Sequence, residues 1–242
     1  MAKLEDAGKE PEGEGASQST VSPVVAITRE SAKAAALALV DREGADCLSM
    51  RRLGAELGVG PMVVHYHTGG KDGLLDSVVD AVLAEMALPP LVPGMSWLDR
   101  LRDYACAYRA ALVHHPKALP IVASRPTRAR SPRVMEALLA VLRRGGLGPR
   151  SAWNIATALT AYVLGYVLLE VGEAPVAAPG PSSGGEPAQA HAKDTQPPVE
   201  YPLVAAAVAE MVTQGIDRDQ AFMAGLDAFL AGLAGEDGEP PR

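Results

Sequence analysis

The residues able to do chemistry are concentrated in one stretch of the 242-residue chain, Ser49–Lys71, which reads SMRRLGAELGVGPMVVHYHTGGK. Arg51 and Arg52 open it, His65 and His67 stand near its end, and Gly54, Gly58 and Gly60 punctuate it. The two histidines are poor metal ligands, because residues at i and i+2 diverge on a helix. No nucleophile–base pair sits in an informative motif, and no glycine loop has phosphate-cradling spacing. Cys47 and Cys106 provide neither a disulfide framework nor a zinc site. An enzyme, a metal and a cofactor are therefore not expected. The spacing supports instead a short helix, a tight turn and a second short helix. Leu53 and Leu57 would face inward, Gly54 would let two helices cross closely, and Gly58 would supply the positive φ of the turn. Val59 and Val64 would close the small core. A helix-turn-helix of this kind presents the outer face of its second helix to a DNA major groove. An ordinary αα-hairpin shares the local pattern and stays open on this segment alone.

Total charge points the other way. The net charge of −7, from 22 basic and 29 acidic residues, does not suggest nucleic acid. Its distribution does. Residues 1–27 sum to −3 and residues 72–242 to −5, whereas residues 28–71 sum to +1. The acidity belongs to the flanks, and phosphate contact requires placed donors rather than a basic chain.

Nearly everything else scans as helix, and no alternating strand pattern competes, which gives an all-α fold. Helical periodicity predicts elements over 27–44, 49–57, 61–67, 71–86, 96–114, 116–123, 132–144, 149–171, 202–214 and 217–233, with caps at Thr28 and Ser49 and prolines opening several first turns. Residues 1–24 read as a disordered acidic arm, 172–198 as a flexible Pro/Gly-rich loop and 235–242 as a frayed tail. The arm lacks the apolar core of a signal peptide, so a reduced, cytoplasmic setting is expected. The stretch 152–171 is apolar but interrupted by Asn154, Thr157, Thr160, Tyr162, Tyr166 and Glu170, and reads as a bundle helix with no membrane partner.

The stretch ITRESAKAAALALVDREGADCLSMRRLGAELGVGPMVVHYHTGGKDGLLDSVVDAVL resembles the N-terminal DNA-binding domain of the TetR family of bacterial transcriptional regulators. The likeness covers about residues 27–86. SWLDRLRDYACAYRAALVHHPKALPIVASRP, AYVLGYVLLE and AFMAGLDAFLAGL extend it into a TetR-type C-terminal domain. The resemblance implies a DNA-binding domain at 25–86 and an effector-binding and dimerisation domain at 95–234. It implies a repressor that binds double-stranded DNA at a palindromic operator and is released by a small-molecule effector. Pro61–His67 would be the recognition helix, with Pro61, Met62, Val63, Tyr66 and His67 toward the groove. Arg51 would read a guanine edge, a bidentate geometry that arginine suits. Thr28, Ser49 and Lys71 would contact phosphates, although Thr28 and Ser49 are helix caps in either case and Lys71 could be a solvated charge. The sequence departs from the family at Val64-His65-Tyr66-His67, where Leu-Tyr-x-His is usual. Either His65 replaces the tyrosine as a phosphate donor, or DNA affinity is lower and pH-sensitive.

For the C-terminal domain the resemblance implies a homodimer, with a seam on the helices 149–171 and 217–233. Ala161 and Gly165 give a small-xxx-small face, and Leu226, Phe229, Leu230 and Leu233 an apolar stripe. An effector would meet Tyr104, Tyr108, Trp153, Asn154, Thr157 and Tyr162, residues that core packing would equally explain. His114 and His115 read as a helix end whose charge complements the helix dipole, and no metal is assigned to them. The alternative to a regulator is an all-α interaction or scaffold protein with degenerate DNA binding.

Overall fold

The computed structural model describes residues 27–87, 94–125, 131–172, 201–215 and 217–234. The acidic arm, residues 173–198 of the Pro/Gly-rich stretch and the tail lie outside the described residues. Among the described residues there are ten α-helices and no strand.

The first four helices are set by short-range signals. α1 (Arg29–Glu43) opens on a capping box: the Thr28 hydroxyl accepts the Ser31 N–H at 3.0 Å, and the Ser31 hydroxyl accepts the Thr28 N–H at 2.9 Å. It stops at Gly44. After a 3₁₀ turn at Ala45–Cys47, α2 (Met50–Leu57) is capped by Ser49, whose hydroxyl accepts the Arg52 N–H at 3.1 Å. α3 (Pro61–Thr68) has proline in its first turn, and α4 (Gly70–Ala84) follows almost at once. α1 and α4 pack along each other, with α2 and α3 laid across them.

Six further helices form the body: α5 (Trp97–His114), α6 (Leu119–Ser124), α7 (Pro132–Arg144), α8 (Pro149–Gly172), α9 (Pro202–Gln214) and α10 (Arg218–Ala234). The helix expected over 116–123 begins as a 3₁₀ turn, Pro116–Ala118. Pro120 has no N–H to return to the Pro116 carbonyl, so Leu119 donates to it instead in the tighter register. α5, α7 and α8 pack mutually, and α10 lies on α5. α4 contacts α5 and α6, and α1 contacts the 3₁₀ turn, so the core runs without a break from Leu39 and Val40 through Val78 and Val82 to Tyr108, Leu138, Leu159 and Phe222. By length and composition α8 could cross a membrane. Its inner face, Ala156, Leu159, Val163 and Val167, is buried against the bundle.

Candidate nucleic-acid interface

The turn between α2 and α3 decides what α3 can show. Gly58 sits in the left-handed region (φ 69°), as the spacing predicts. Gly54 is small for a reason other than helix crossing: a Cβ there would lie 2.7 Å from the Val59 carbonyl oxygen, so the backbone of the turn itself occupies that space. The Val59 N–H donates to the Gly54 carbonyl at 2.8 Å, which closes the turn. Leu53 and Val64 are fully buried, whereas Leu57 and Val59 are half-buried against the same core. With Val64 as its inward anchor, α3 turns Pro61, Met62, Val63, His65 and Tyr66 outward, and His67 is half-exposed. Met62 is 75% and Tyr66 83% exposed, unusual for large apolar residues.

The two arginines of α2 have different partners. Arg52 is locked to Glu43 and to Glu56 (3.2 Å), and Arg42 reaches the same Glu56 at 3.0 Å. The Arg52 hydrogen bond, more than any other contact, holds the Glu43 carboxyl below the usual carboxylate range. Arg51, one residue earlier, is exposed and makes no ion pair among the described residues. Lys71 is likewise exposed and unpaired among them, in the first turn of α4. Thr28 and Ser49, both exposed, cap α1 and α2. The His65 ring lies over Gly70, so that its Nε2 would stand 3.4 Å from a Cβ placed there. It therefore borders the N-terminus of α4, where N–H groups attract anions.

In the body, the residues singled out from sequence separate into three groups. Tyr104 and Tyr108 are buried as a tilted pair, ring centroids 6.3 Å apart, in a narrow cavity with Leu83 of α4, Val134 and Met135 of α7 and Thr160 of α8. Trp153 and Asn154 are exposed on α8, and the Thr157 hydroxyl is bonded to the Trp153 carbonyl at 2.9 Å. Tyr162 points at α10, donating to the Phe222 carbonyl at 2.7 Å and stacking on Phe222 and Phe229. Of the expected seam, Ala161 is exposed and Gly165 half-exposed, but Leu226, Leu230 and Leu233 are buried within the chain and Phe229 is half-buried. The α10 stripe faces its own core because α10 packs on α5. The exposed residues of α10 include Ala221, Ala224, Ala228 and Ala231, together with Asp219, Gln220, Asp227 and Gly232.

Sequence reasoning missed a polar knot beside α10. Arg109 pairs with Glu170 at 2.7 Å and Asp219 at 2.6 Å, and its guanidinium lies 4.9 Å from the Phe222 ring centre. These residues line a cavity of about 600 Å³. The partners come from three helices far apart in the chain, so no local pattern announced them.

A helix-turn-helix head with an exposed second helix, carried on an all-α body, defines the class of helix-turn-helix regulators. Residues 89–236 match the family of tetracyclin repressor-like C-terminal domains. An HTH-type transcriptional regulator of Saccharopolyspora erythraea is 32% identical over 156 residues, 63% of this chain and 64% of that protein, just under two thirds of its length. The class D tetracycline repressor protein of Escherichia coli is 28% identical over 86% of this chain and 89% of that protein. The structure of the TetR family protein ActR of Streptomyces coelicolor, in complex with actinorhodin, superposes with a TM-score of 0.69 at 28% identity, covering 88% of this chain and 99% of that one. The chain belongs to the TetR family and is a DNA-binding transcriptional regulator.

Proposed function

We propose that this regulator is a cytoplasmic homodimeric repressor that binds a palindromic DNA operator through α3 and leaves it when a small molecule enters the body. The observation that carries the DNA reading is the contrast on α2 and α3: Arg52 is tied to carboxylates, while Arg51, Met62 and Tyr66 are each exposed. Arg51 reads a guanine edge, and Pro61, Met62, Val63, Tyr66 and His67 face the groove. Thr28, Ser49, His65 and Lys71 contact phosphates, with His65 replacing the family's tyrosine as a donor beside the α4 N-terminus.

The dimer reading is supported by α8, where Asn154, Ala158, Ala161, Gly165 and Leu168 form an outward stripe at helical spacing. The alanine face of α10 lies beside it in the reading. Small residues let helices approach closely, and a two-fold pair of heads suits two half-sites. The effector reading places the ligand against Tyr104 and Tyr108, whose cavity of about 10 Å³ is room for one water at most, so the ligand has to part α4, α5 and α7 to enter. Leu83 of α4 lines the same cavity, and α4 also supports α1 and α3, so a ligand there displaces the recognition helix through one rigid element.

Selection of the full-length protein against random duplex DNA, followed by ligand challenge, tests the reading. Enrichment of an inverted repeat, bound with steep salt dependence, is the expected result. No enrichment over bulk DNA by a folded protein would overturn it.

A further inference from the structure

One buried side chain joins the head to the body. His115, just past the end of α5, is 5% exposed. Its Nδ1 lies 2.9 Å from Oδ2 of Asp41 on α1, and its Nε2 lies 2.9 Å from Oε2 of Glu85 at the end of α4. A neutral imidazole carries one N–H. If Nδ1–H donates to Asp41, the Nε2 lone pair points at a carboxylate oxygen, acceptor against acceptor. A metal ion between Nε2 and the Glu85 carboxylate would relieve that opposition.

The neighbouring side chain adds a donor at the same place. His114 brings a further imidazole to the same place, its ring edge-on to that of His115 with centroids 4.7 Å apart. Donor atoms of Glu85, His114 and His115 all lie within 4.8 Å of one another. Ligands about 2.0–2.2 Å from a zinc ion stand roughly 3.4 Å apart, a closure within reach of the exposed His114 and Glu85 side chains. Asp41 on the far nitrogen is the second partner that metal-bound histidines usually have, fixing the tautomer that leaves Nε2 free to ligate. A groove lined by Glu30, Lys33, Asp41, Glu85 and His115 gives an entry path from solvent, while the nearby cations have other partners: Lys33 pairs with Glu30, and Lys117 donates to the Arg42 carbonyl.

We propose that Glu85, His114 and His115 form a site for a divalent transition metal of the zinc class, with Asp41 orienting His115 and water completing the coordination. The ion ties the end of α4 to the end of α5. On the reading of α4 as the element that couples body to head, metal occupancy biases DNA affinity, but binding itself does not depend on that reading.

The test uses full-length protein in a Cys47→Ser, Cys106→Ser background, so that thiols do not compete. Chelator-stripped protein is titrated with ZnCl₂ against a chromophoric chelator, and thermal unfolding is followed in parallel. The expected result is one zinc per chain, bound tighter than ~10 μM, with a raised Tm. His114→Ala and Glu85→Gln, both at exposed positions, each weaken binding by at least ~10-fold, and so does Asp41→Asn through the tautomer. His115→Ala is the direct removal, read only if it folds. Absence of stoichiometric binding, or equal binding by the parent and His114→Ala, overturns the proposal.

Discussion

α3 and α8 expose apolar residues in opposite ways. α3 is short, has Val64 fully buried and leaves large, shaped side chains, Met62 and Tyr66, standing in solvent. α8 is long, buries a full face, and turns Ala158, Ala161 and the half-exposed Gly165 outward along its middle, with large exposed residues, Trp153, Leu168 and Leu169, toward its ends. Projecting side chains suit the edges of bases in a groove, whereas a flush surface suits another helix lying against it. On the proposed function, exposed apolar area serves two purposes in one molecule, and what sets α8 apart from α3 is the run of small residues along its middle.

The anchoring of α3 is the first place to break this comparison. Val64→Asp puts an unpaired carboxylate in the head core and is expected to cost at least about 3 kcal/mol, measured by chemical denaturation. A loss below ~1 kcal/mol would mean that α3 is not held by Val64. The reading face comes next. Arg51→Ala should weaken operator binding by about 1–3 kcal/mol and relax preference at one base pair, in fluorescence anisotropy. Arg52→Ala is the contrast: its partners are surface carboxylates, so it should lower stability by less than ~1 kcal/mol and leave base preference unchanged.

The flush surface of α8 is tested by Gly165→Leu, which adds bulk where nothing now lies near its Cβ position. It should shift the monomer–dimer equilibrium by about 1–3 kcal/mol in sedimentation, with helix content unchanged. An unaltered equilibrium would remove this face from the seam. Tyr162→Phe probes the inner side of the same helix. Losing the bond to the Phe222 carbonyl should cost about 1 kcal/mol of stability without affecting DNA binding in the folded protein.

The smallest effect is expected at Asp80 on α4. Burial, the main cause, raises its carboxyl above the ordinary carboxylate range, and its Oδ1 has no hydrogen-bond partner among the described residues. A carboxyl raised in the folded state contributes stability below its unfolded pKa and loses it as pH rises through the folded value. Asp80→Asn should therefore raise stability slightly at pH 7, by less than ~1 kcal/mol in chemical denaturation, with no gain below about pH 3.5. A gain that persisted in acid would point to a cause other than ionisation.

The helices of the head and the turn at Gly58 were legible in sequence because caps, glycine conformation and periodicity act within a few residues. The all-α architecture and the TetR family were legible for the same reason. The α10 stripe was read in the right residues but assigned to the wrong neighbour: periodicity shows that Leu226, Leu230 and Leu233 share a face, not what that face meets. The six effector candidates were chosen by residue type; among the described residues Tyr104 and Tyr108 line one cavity while Trp153 and Asn154 point outward, since type does not specify direction.

Sequence by itself determined where the helices lie to within a few residues, which segment forms the helix-turn-helix and which of its residues cannot be buried together. Tertiary structure alone decided which arginine of α2 stays unpaired, which face of α10 is inside, and that His115 stands between Asp41, 74 positions away, and Glu85, 30 positions away. The physical reason is the range of the interactions. Caps and turns are settled by neighbours along the chain, whereas a side chain's charge partner is settled by whichever helix the core brings beside it.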